Sequence, residues 1–440
     1  MKPYDTYKDS GIEWIGEIPS HWEVKKVKYN FSFRTGFTPS SGKTEYYEDG
    51  THIWINISDL QKRIVSDSAN KITDKAIEDY KPSIVPKGSL LYSFKLSVGR
   101  VAFNERDCYT NEAIFSIDPD KNTNLDFFYY SLPQQIIKNA NENIYGAQIL
   151  NQELIKNAVL IVPTQKEQNA IATFLDRKTA EIDALIADKK RLLELYEEEK
   201  TAVINQAVTK GIDPKAKMKD SGIEWLGEIP EHWEVKKLKF IIKGFESGVS
   251  VNSLDNPIIE GEYGILKTSC VYDYSFRPEE NKLILNDFEL QRAKINPKKG
   301  MIIISRMNTP DLVGASGYVD QDYPNLFLPD RLWQTVFYQG IELDSKWLSY
   351  IFKSSSFRKL LSTLATGTSP SMKNLGQEDF LNIKIPFQGI EEQQSIVKHI
   401  ETECTRIGAK IDKTKKLIEL LTEYRTALIS EVVTGKLKVV

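Results

Sequence analysis

The sequence has few cysteines and histidines and no long apolar run. Its 440 residues include only four histidines and three cysteines, Cys108, Cys270 and Cys404. Cysteines that are odd in number and far apart give neither a disulfide framework nor a CxxC-type metal site. No stretch approaches the ~20 apolar residues of a membrane-spanning helix, and the first residues lack the apolar core of a signal peptide. We therefore expect reduced thiols, no metal site, no membrane contact and a cytoplasmic protein.

A basic excess is also missing. There are 58 Lys and Arg residues against 61 Asp and Glu, which gives a net charge of −3. A DNA-binding domain usually carries an excess of positive charge, so charge alone argues mildly against nucleic acid as a partner. The hydrophobic fraction of 41% and the charged fraction of 27% are those of an ordinary globular chain. Length and composition predict two to four folded domains.

The chain contains an internal sequence repeat. Lys8 to Tyr29 recurs as Lys219 to Phe240, with 18 of 22 positions identical. A second repeat aligns Gln168 to Thr209 with Gln393 to Thr434 without gaps. The offset is 211 residues at the first repeat and 225 at the second, so the second copy carries 14 extra residues between them. Because the edges match while the interiors differ, the pattern indicates a duplicated scaffold that presents two variable modules.

The repeats divide the chain into four parts. We expect a first module at residues 1–162, a first spacer helix at 163–211, a second module at 212–385 and a second spacer helix at 386–440. Each spacer helix follows a proline, Pro163 or Pro386, and starts in a Glu/Gln-rich cluster, which suits a helix N-terminus. Gly211 and Gly435 are the expected ends.

Both spacer helices carry a heptad seam. Without proline over roughly 40 residues, each would form a rod of ~60 Å. Such a rod cannot bury its apolar stripe alone, so we expect the two copies to pair within one chain, antiparallel and related by a pseudo-two-fold axis. The alternative for this feature alone is a plain coiled-coil dimerisation arm. The predicted seam positions are Leu175, Ile182, Ile186, Lys189, Leu193, Tyr196, Lys200, Val203 and Ala207, and Ile400, Ile407, Ile411, Thr414, Ile418, Leu421, Arg425, Leu428 and Val432.

The interiors of the modules mix strand and helix patterns. Short β-branched runs at His52–Ile57, Ser89–Phe94, Ala113–Ile117 and Met301–Ser305 predict strands. Leu125 to Lys138 and Leu343 to Leu364 look helical. The predicted fold class is α+β: two mixed α/β domains separated by two long antiparallel coiled-coil helices.

Several segments resemble catalytic or ligand-binding motifs but lack residues that those motifs require. Gly36 to Thr44 has five residues between its glycines where a phosphate-binding P-loop needs four, and Pro39 removes an N–H from the loop. The two Asn-Pro pairs at 256 and 296 lack the following Pro-aromatic of an adenine methyltransferase. The first repeat also holds Trp14, His21 and Trp22, which recur as Trp225, His232 and Trp233. These side chains would serve either as a base-stacking platform or, as we favour, as anchors between each module and the helices.

Taken together, the motifs resemble the specificity subunits of type I restriction-modification systems over nearly the whole chain. The opening Asp9 to Trp22 is similar to the family's usual start, and Gly36–Ser40 with Trp54–Leu60 resembles a target-recognition signature. In the second half, Gly300–Asn308 and Pro324–Arg331 are similar to another version of that domain. The loops that begin at Gly146 and Gly367, each leading into a strand, a proline and a helix start, fit the same family.

The resemblance implies a subunit with no catalytic residues and no cofactor of its own. It would bind double-stranded DNA, with each module reading one half of a bipartite asymmetric site. Two methyltransferase subunits, using S-adenosylmethionine to methylate adenine N6, and restriction/translocase subunits, using ATP and magnesium, would supply the catalysis.

Polar residues of loops beside strand ends are the expected DNA contacts, because base reading needs Asn, Gln, Arg, Ser or Thr aimed into a groove. The candidates are Lys43, Ser58, Lys95, Arg100, Tyr145 and Gln148 in the first module and Lys267, Thr268, Arg306, Asn308, Thr309, Ser369 and Lys373 in the second. The competing interpretations are a coiled-coil scaffold that binds no DNA and, without a motif to support it, a self-sufficient nuclease or methylase.

Overall fold

The chain forms two units in the computed structural model, which describes residues 3–95, 97–142, 148–369 and 372–439. Unit 1 comprises residues 1–190 and 416–440, and unit 2 comprises residues 191–415. Each unit therefore contains one module together with one part of each long helix. The long helices are α5, Gln165–Lys210, and α10, Ile390–Val433.

The first module has fourteen strands, most of them short, and four short α-helices among the described residues. The strands are β1 Tyr7–Asp9, β2 Glu17–Pro19, β3 Glu23–Lys26, β4 Arg34–Thr35, β5 His52–Ile55, β6 Ile64–Val65, β7 Lys71–Ile72, β8 Leu90–Ser93, β9 Val101–Asn104, β10 Tyr109–Thr110, β11 Ile114–Ile117, β12 Asn141–Glu142, β13 Gln148–Ile149 and β14 Val159–Val162. The helices are α1 Val27–Asn30, α2 Asp74–Tyr80, α3 Leu125–Gln135 and α4 Gln152–Asn157.

The second module is built in the same way from the part of the chain after α5. Its strands are β15 Met218–Asp220, β16 Glu228–Pro230, β17 Glu234–Lys237, β18 Ile242–Ser247, β19 Ser253–Leu254, β20 Gly264–Leu266, β21 Asn281–Ile284, β22 Ile302–Ser305, β23 Met307–Asn308, β24 Ser316–Tyr318, β25 Leu326–Phe327, β26 Leu332–Phe337, β27 Thr366–Ser369, β28 Met372–Asn374 and β29 Lys384–Phe387. Its helices are α6 Asp287–Arg292, α7 Ser345–Lys353, α8 Ser355–Leu364 and α9 Gln377–Asn382.

The two modules share one sheet topology. One sheet has the order β4-β11-β8-β9-β6 in the first module, and the four-stranded sheet β18-β26-β22-β24 of the second corresponds to its first four strands. A second sheet contains one parallel pair, β5 with β10 and β20 with β25, beside an antiparallel neighbour, β7 or β21. The duplication therefore extends through the interiors, where the sequences have diverged too far to show it.

A glycine makes a close backbone approach at the same place in both modules. A Cβ added to Gly36 would lie 1.9 Å from the carbonyl oxygen of Thr110, and one added to Gly248 would lie 1.6 Å from that of Leu328. No side chain fits at either distance. The Gly36 loop thus crosses close to strand β10.

The repeated tryptophans anchor the modules to the long helices. The indole N–H of Trp22 donates to Glu167 in the first turn of α5 at 3.1 Å, and that of Trp233 donates to Glu392 in the first turn of α10 at 2.9 Å. Both rings are fully buried, so neither can stack on a base. The anchor interpretation is confirmed, and the stacking platform is wrong for these two residues.

The start of each long helix meets the end of the other. In unit 1, Trp22 also packs against Gly435, and Asp183 pairs with Arg425 at 2.8 and 3.1 Å. In unit 2, Trp233 packs against Gly211, and Glu199 pairs with Arg406 at 2.8 Å. The helix segments within each unit are therefore antiparallel, as the heptad pattern predicts. Gly211 and Gly435, which follow the helices, have φ angles of +75° and +76°, so glycine is needed at both ends.

The predicted seam is the buried face of both helices. Leu175 and Ile182 join the core of unit 1 together with Leu428 and Val432, and Ile400 joins the core of unit 2. Every predicted seam position is buried or half-buried. The polar seam residue Thr414 is also buried, with its hydroxyl donating to the Lys410 carbonyl at 2.8 Å.

The predicted strands and helices of the modules form, with small differences at their ends. The four predicted strands appear as β5, β8, β11 and β22. The helix predicted over Leu125–Lys138 ends as an α-helix at Gln135. The helix predicted over Leu343–Leu364 is broken at Ser354, which has extended backbone angles and separates α7 from α8.

Candidate nucleic-acid interface

In the first module, two predicted contact residues converge on one strand end. Strand β5 ends at Ile55 and leads into a short 3-10 helix, Ile57–Asp59, that is closed by a capping box between Asn56 and Asp59. The guanidinium of Arg100 donates to the carbonyl of Ile57 at 3.4 Å. Ser58 and Arg100, both exposed, therefore lie side by side at this edge.

A loop held by Ser93 positions Arg100. The backbone N–H of Arg100 donates to the Ser93 hydroxyl at 3.0 Å, and that hydroxyl donates to the carbonyl of Ser97. Lys95, at the start of the same loop, is exposed, and its ammonium lies 5.8 Å from the ring centre of Phe94. The loop thus carries two cations at the end of β8.

Other candidates of the first module lie elsewhere. Lys43 contacts Tyr46 at 3.3 Å and Glu45 at 3.8 Å, beside helix α2. The structure does not bring it into contact with Ser58 or Arg100. Gln148 lies on β13, where only its backbone is described, and Tyr145 lies outside the described residues.

In the second module the predicted residues cluster more closely. The hydroxyl groups of Thr268 and Tyr272 lie 2.8 Å apart, and the side-chain amide of Asn308 donates to the Tyr272 hydroxyl at 2.9 Å. Strand β23 pairs with β28, with Asn308 opposite Lys373. Ser369, whose backbone alone is described, lies on the next strand, β27.

Within this cluster, Asn308 and Thr309 have different environments. Asn308 is only 9% exposed, and its amide also donates to Ser305 while its oxygen accepts from the Thr309 N–H. Its hydrogen bonds are thus made inside the protein, which suits a residue that positions Tyr272 and Thr309. Thr309 itself is exposed, whereas Arg306 and Lys373 are half-buried.

Lys267 points away from the cluster. Its ammonium pairs with Asp255 at 3.1 Å, and Lys282 shares the same carboxylate at 3.3 Å. These two lysines hold the pKa of Asp255 below its ordinary value. The positive charge of Lys267 is therefore partly neutralised within the protein.

The sequence did not indicate Tyr272. No repeat or motif marks it, and its role follows from the loop after β20, which places its hydroxyl between Thr268 and Asn308. A signal was available in retrospect, because the segment after β20 corresponds to the segment around Ser58 after β5. The shared topology, and not the amino-acid sequence, makes that correspondence visible.

The described residues give no sign of a metal centre or a membrane segment. Within the described ranges, no group of three or more His, Cys, Asp or Glu side chains is arranged to hold a metal ion. None of the helices in those ranges is long and apolar enough to cross a membrane.

Comparisons with known proteins agree with this architecture. The family model described as "Type I restriction modification DNA specificity domain" matches residues 19–195. The MjaVIII specificity subunit of Methanocaldococcus jannaschii is 26% identical over 96% of this chain and 94% of its own length. The MjaIX specificity subunit of the same organism is 28% identical over 63% of this chain and 65% of its own length. The chain is therefore similar to type I restriction-modification specificity subunits over nearly its whole length.

Solved structures show the same fold. A chain from a type I restriction-modification system superposes with a TM-score of 0.69 at 12% identity and covers 96% of this chain and 99% of its own length. The HsdS subunit from Thermoanaerobacter tengcongensis has a TM-score of 0.56 at 14% identity, covering 96% and 98%. At 12% and 14% identity, the likeness to these two structures is one of fold.

Proposed function

We propose that this chain selects the DNA sequence on which a type I restriction-modification complex acts. Each module reads one half of a bipartite, asymmetric site. The observation that carries this proposal is that two modules with one topology present different polar residues at corresponding strand ends. Ser58 and Arg100 lie there in the first module, and Thr268 and Thr309 in the second. Two modules that share a fold but differ in their exposed polar residues suit the recognition of two different half-sites.

The proposed DNA contacts are the set predicted from the sequence, with roles refined by their surroundings. Exposed residues such as Ser58, Arg100 and Thr309 are proposed to face the DNA. Asn308 is proposed to position its neighbours, since its hydrogen bonds are made within the protein. Lys43 and Lys267 are proposed as phosphate contacts, because a lysine at the edge of a reading surface adds affinity without sequence preference.

The domain division and the partners are part of the same proposal. Residues 1–162 and 212–385 are the two target-recognition domains, and residues 163–211 and 386–440 are the spacer helices. The chain itself catalyses nothing and acts in the cytoplasm. Two methyltransferase subunits supply adenine-N6 methylation with S-adenosylmethionine, and restriction subunits supply ATP- and magnesium-dependent cleavage. A net charge of −3 fits a subunit that gains much of its DNA affinity from such partners.

A repeated surface supports docking of two copies of one partner. Tyr29 is 73% exposed with the ammonium of Lys28 5.3 Å from its ring centre, and Phe240 is 63% exposed with that of Lys239 at 5.5 Å. Both pairs belong to the frame that is nearly identical in the two halves. Exposed aromatic residues beside a cation are typical anchors of protein interfaces. Their repetition suits two identical subunits, one per half.

Methylation mapping tests the proposal. The chain is co-expressed with the methyltransferase encoded beside it, and N6-methyladenine is located across the host DNA by long-read sequencing. We expect one two-part motif with modified adenines on opposite strands. A stable complex that methylates no defined motif, and shows no salt-dependent DNA binding, would instead identify a coiled-coil scaffold.

A further inference from the structure

A partly open cavity of about 300 Å³ lies in unit 2, beside helix α5. Its wall comprises Thr201, Ile204, Asn205, Tyr274, Lys353, Ser355 and Arg358. Two of these residues are cations, and the wall contains no Asp or Glu. The volume is at the lower end of the range for small-molecule sites.

Arg358 is a buried charge with incomplete hydrogen bonding. It is 9% exposed, and its Nε donates to the Tyr274 hydroxyl at 3.3 Å while one terminal nitrogen donates to the carbonyl of Asp311 at 3.1 Å. The other terminal nitrogen is buried without a partner. A buried guanidinium that has no carboxylate partner and incomplete hydrogen bonding is costly, so a nearby anion would stabilise it.

Lys353 adds a second positive charge at the same cavity. Among the described residues, no carboxylate lies within ion-pair distance of Lys353 or Arg358. Burial lowers the pKa of Lys353, and the like charge of Lys200 adds to the lowering. The surroundings therefore disfavour the charged form of this lysine while the cavity is empty.

The N-terminus of helix α8 is a third source of positive potential. The helix spans ten residues, Ser355–Leu364, and its N-cap residue Ser354 makes no capping hydrogen bond through its side chain. Asn205 of α5 accepts from the Ser355 N–H at 2.9 Å and donates to the Ser355 hydroxyl at 2.7 Å. The helix start is thereby fixed at the cavity wall, and helix N-termini attract anions.

The backbone around Arg358 is shaped to hold it in place. Tyr274 has a φ of +55°, which is unusual for a residue other than glycine. Gly314 has a φ of +74°, and a Cβ there would lie 2.9 Å from the unpartnered Arg358 nitrogen. A glycine at 314 thus leaves room for the guanidinium. Strained backbone that is retained around a buried charge is common at binding sites.

We propose that this cavity binds a phosphate group, held by Arg358, Lys353 and the N-terminus of α8. Donors that approach from a guanidinium, an ammonium and a helix start surround a tetrahedral oxyanion better than a planar carboxylate. The ligand is either free phosphate or a phosphate of the DNA backbone. Because Arg358 also bonds the loop of Asp311, which follows Thr309, a bound phosphate would stabilise a loop of the candidate reading surface.

Thermal unfolding of the full chain tests the free-phosphate source. Phosphate and chloride are compared at equal ionic strength, with acetate as the carboxylate probe. We expect phosphate to raise Tm by about 3 °C, the shift that ~1 kcal/mol of binding energy produces in a protein of this kind. The rise should disappear in Lys353→Met and persist in Lys359→Met, which removes an exposed lysine outside the cavity wall. An equal response to acetate would overturn the assignment to phosphate.

A second variant distinguishes loss of phosphate binding from misfolding. Ser355→Asp places a carboxylate at the cavity and at the start of α8. It should raise Tm without phosphate and abolish the phosphate response, a gain that a damaged fold does not produce. Ser345→Asp, at the start of α7, is the matched control and should leave the phosphate response intact.

DNA binding by the assembled complex tests the other source. If free phosphate has no effect, Lys353→Met should still reduce the slope of log affinity against log salt by about 1 relative to Lys359→Met. Unchanged slopes together with no phosphate response overturn the proposal. The free-phosphate arm needs no DNA, so its outcome is independent of the proposed function.

Discussion

Glu167 joins the first module to helix α5. Its carboxylate accepts hydrogen bonds from the Trp22 indole, His21 and the Thr164 hydroxyl and backbone N–H, at 2.7 to 3.2 Å. Burial opposes ionisation of the carboxyl, but these hydrogen bonds outweigh it and lower its pKa below the ordinary value of 4.5. The ionised carboxylate is therefore the form that the fold requires.

Glu167→Gln should destabilise unit 1 by about 1–3 kcal/mol, because a neutral amide cannot accept all four donors. Since the folded pKa is lowered, the contribution of Glu167 is present above pH 4.5 and is lost as pH falls through the lower folded pKa. The variant should remove the part of the acid sensitivity that comes from Glu167.

Denaturant unfolding between pH 3 and 7 measures both the loss of stability and the change in its pH dependence. The matched Glu392→Gln should cost less, since within the described part of the chain Glu392 accepts only from His232 and Trp233.

Among the secondary-structure elements, the two long helices and the seam between them are the largest shared feature of the two units. Their polar contacts are mostly exposed, as for Arg425 with Asp183, whereas Ile182 and Leu428 are buried in the core. Exposed ion pairs contribute little because water and salt screen them. Apolar burial should therefore hold the helix pair together, while the ion pairs restrict its register.

Ile182→Ala and Arg425→Ala separate these two contributions. The first should destabilise unit 1 by about 2–5 kcal/mol through lost burial and a cavity, and the second by less than about 1 kcal/mol. Only the effect of Arg425→Ala should shrink further at high salt. Denaturant unfolding at low and high salt gives both values. A larger loss from Arg425→Ala than from Ile182→Ala would contradict this view of the seam.

At the scale of the whole molecule, the two modules should be separable in function. Ser58→Ala with Arg100→Ala changes the exposed edge of the first module, and Thr309→Ala with Lys373→Ala that of the second. Each pair should relax or abolish one half of the methylated motif and leave the other half unchanged. Long-read methylation maps of the variants show this directly. Loss of both halves from one pair would indicate general damage to DNA binding.

Partner docking should also be divisible in two. Tyr29→Ser and Phe240→Ser should each reduce the bound methyltransferase from two copies to one, and the double variant should bind none. Native mass spectrometry of the co-expressed complex counts the subunits. Ile259→Ser and Phe288→Ser are matched controls, because these side chains are 72% and 70% exposed but lie outside the repeated frame. Equal loss in the controls would sink the assignment of the docking surface.

The sequence by itself determined the long helices, their pairing and the anchoring tryptophans. These features depend on periodicity and on near-identical repeats such as that around Trp22 and Trp233, which survive because both copies perform one structural task. The strands of the modules were also predictable, since a short run of β-branched residues is a local signal. The ends of the helices were harder to predict, as the break at Ser354 shows.

Only the tertiary structure decided what lies at the proposed reading surface and beneath it. Tyr272 between Thr268 and Asn308, the burial of Asn308 and the cavity of Arg358 all join residues from distant loops. Such contacts carry no sequence period, because they depend on how strands pair and where loops cross. The shared topology of the two modules was hidden for the same reason: a fold can be conserved by burial alone while its exposed residues diverge.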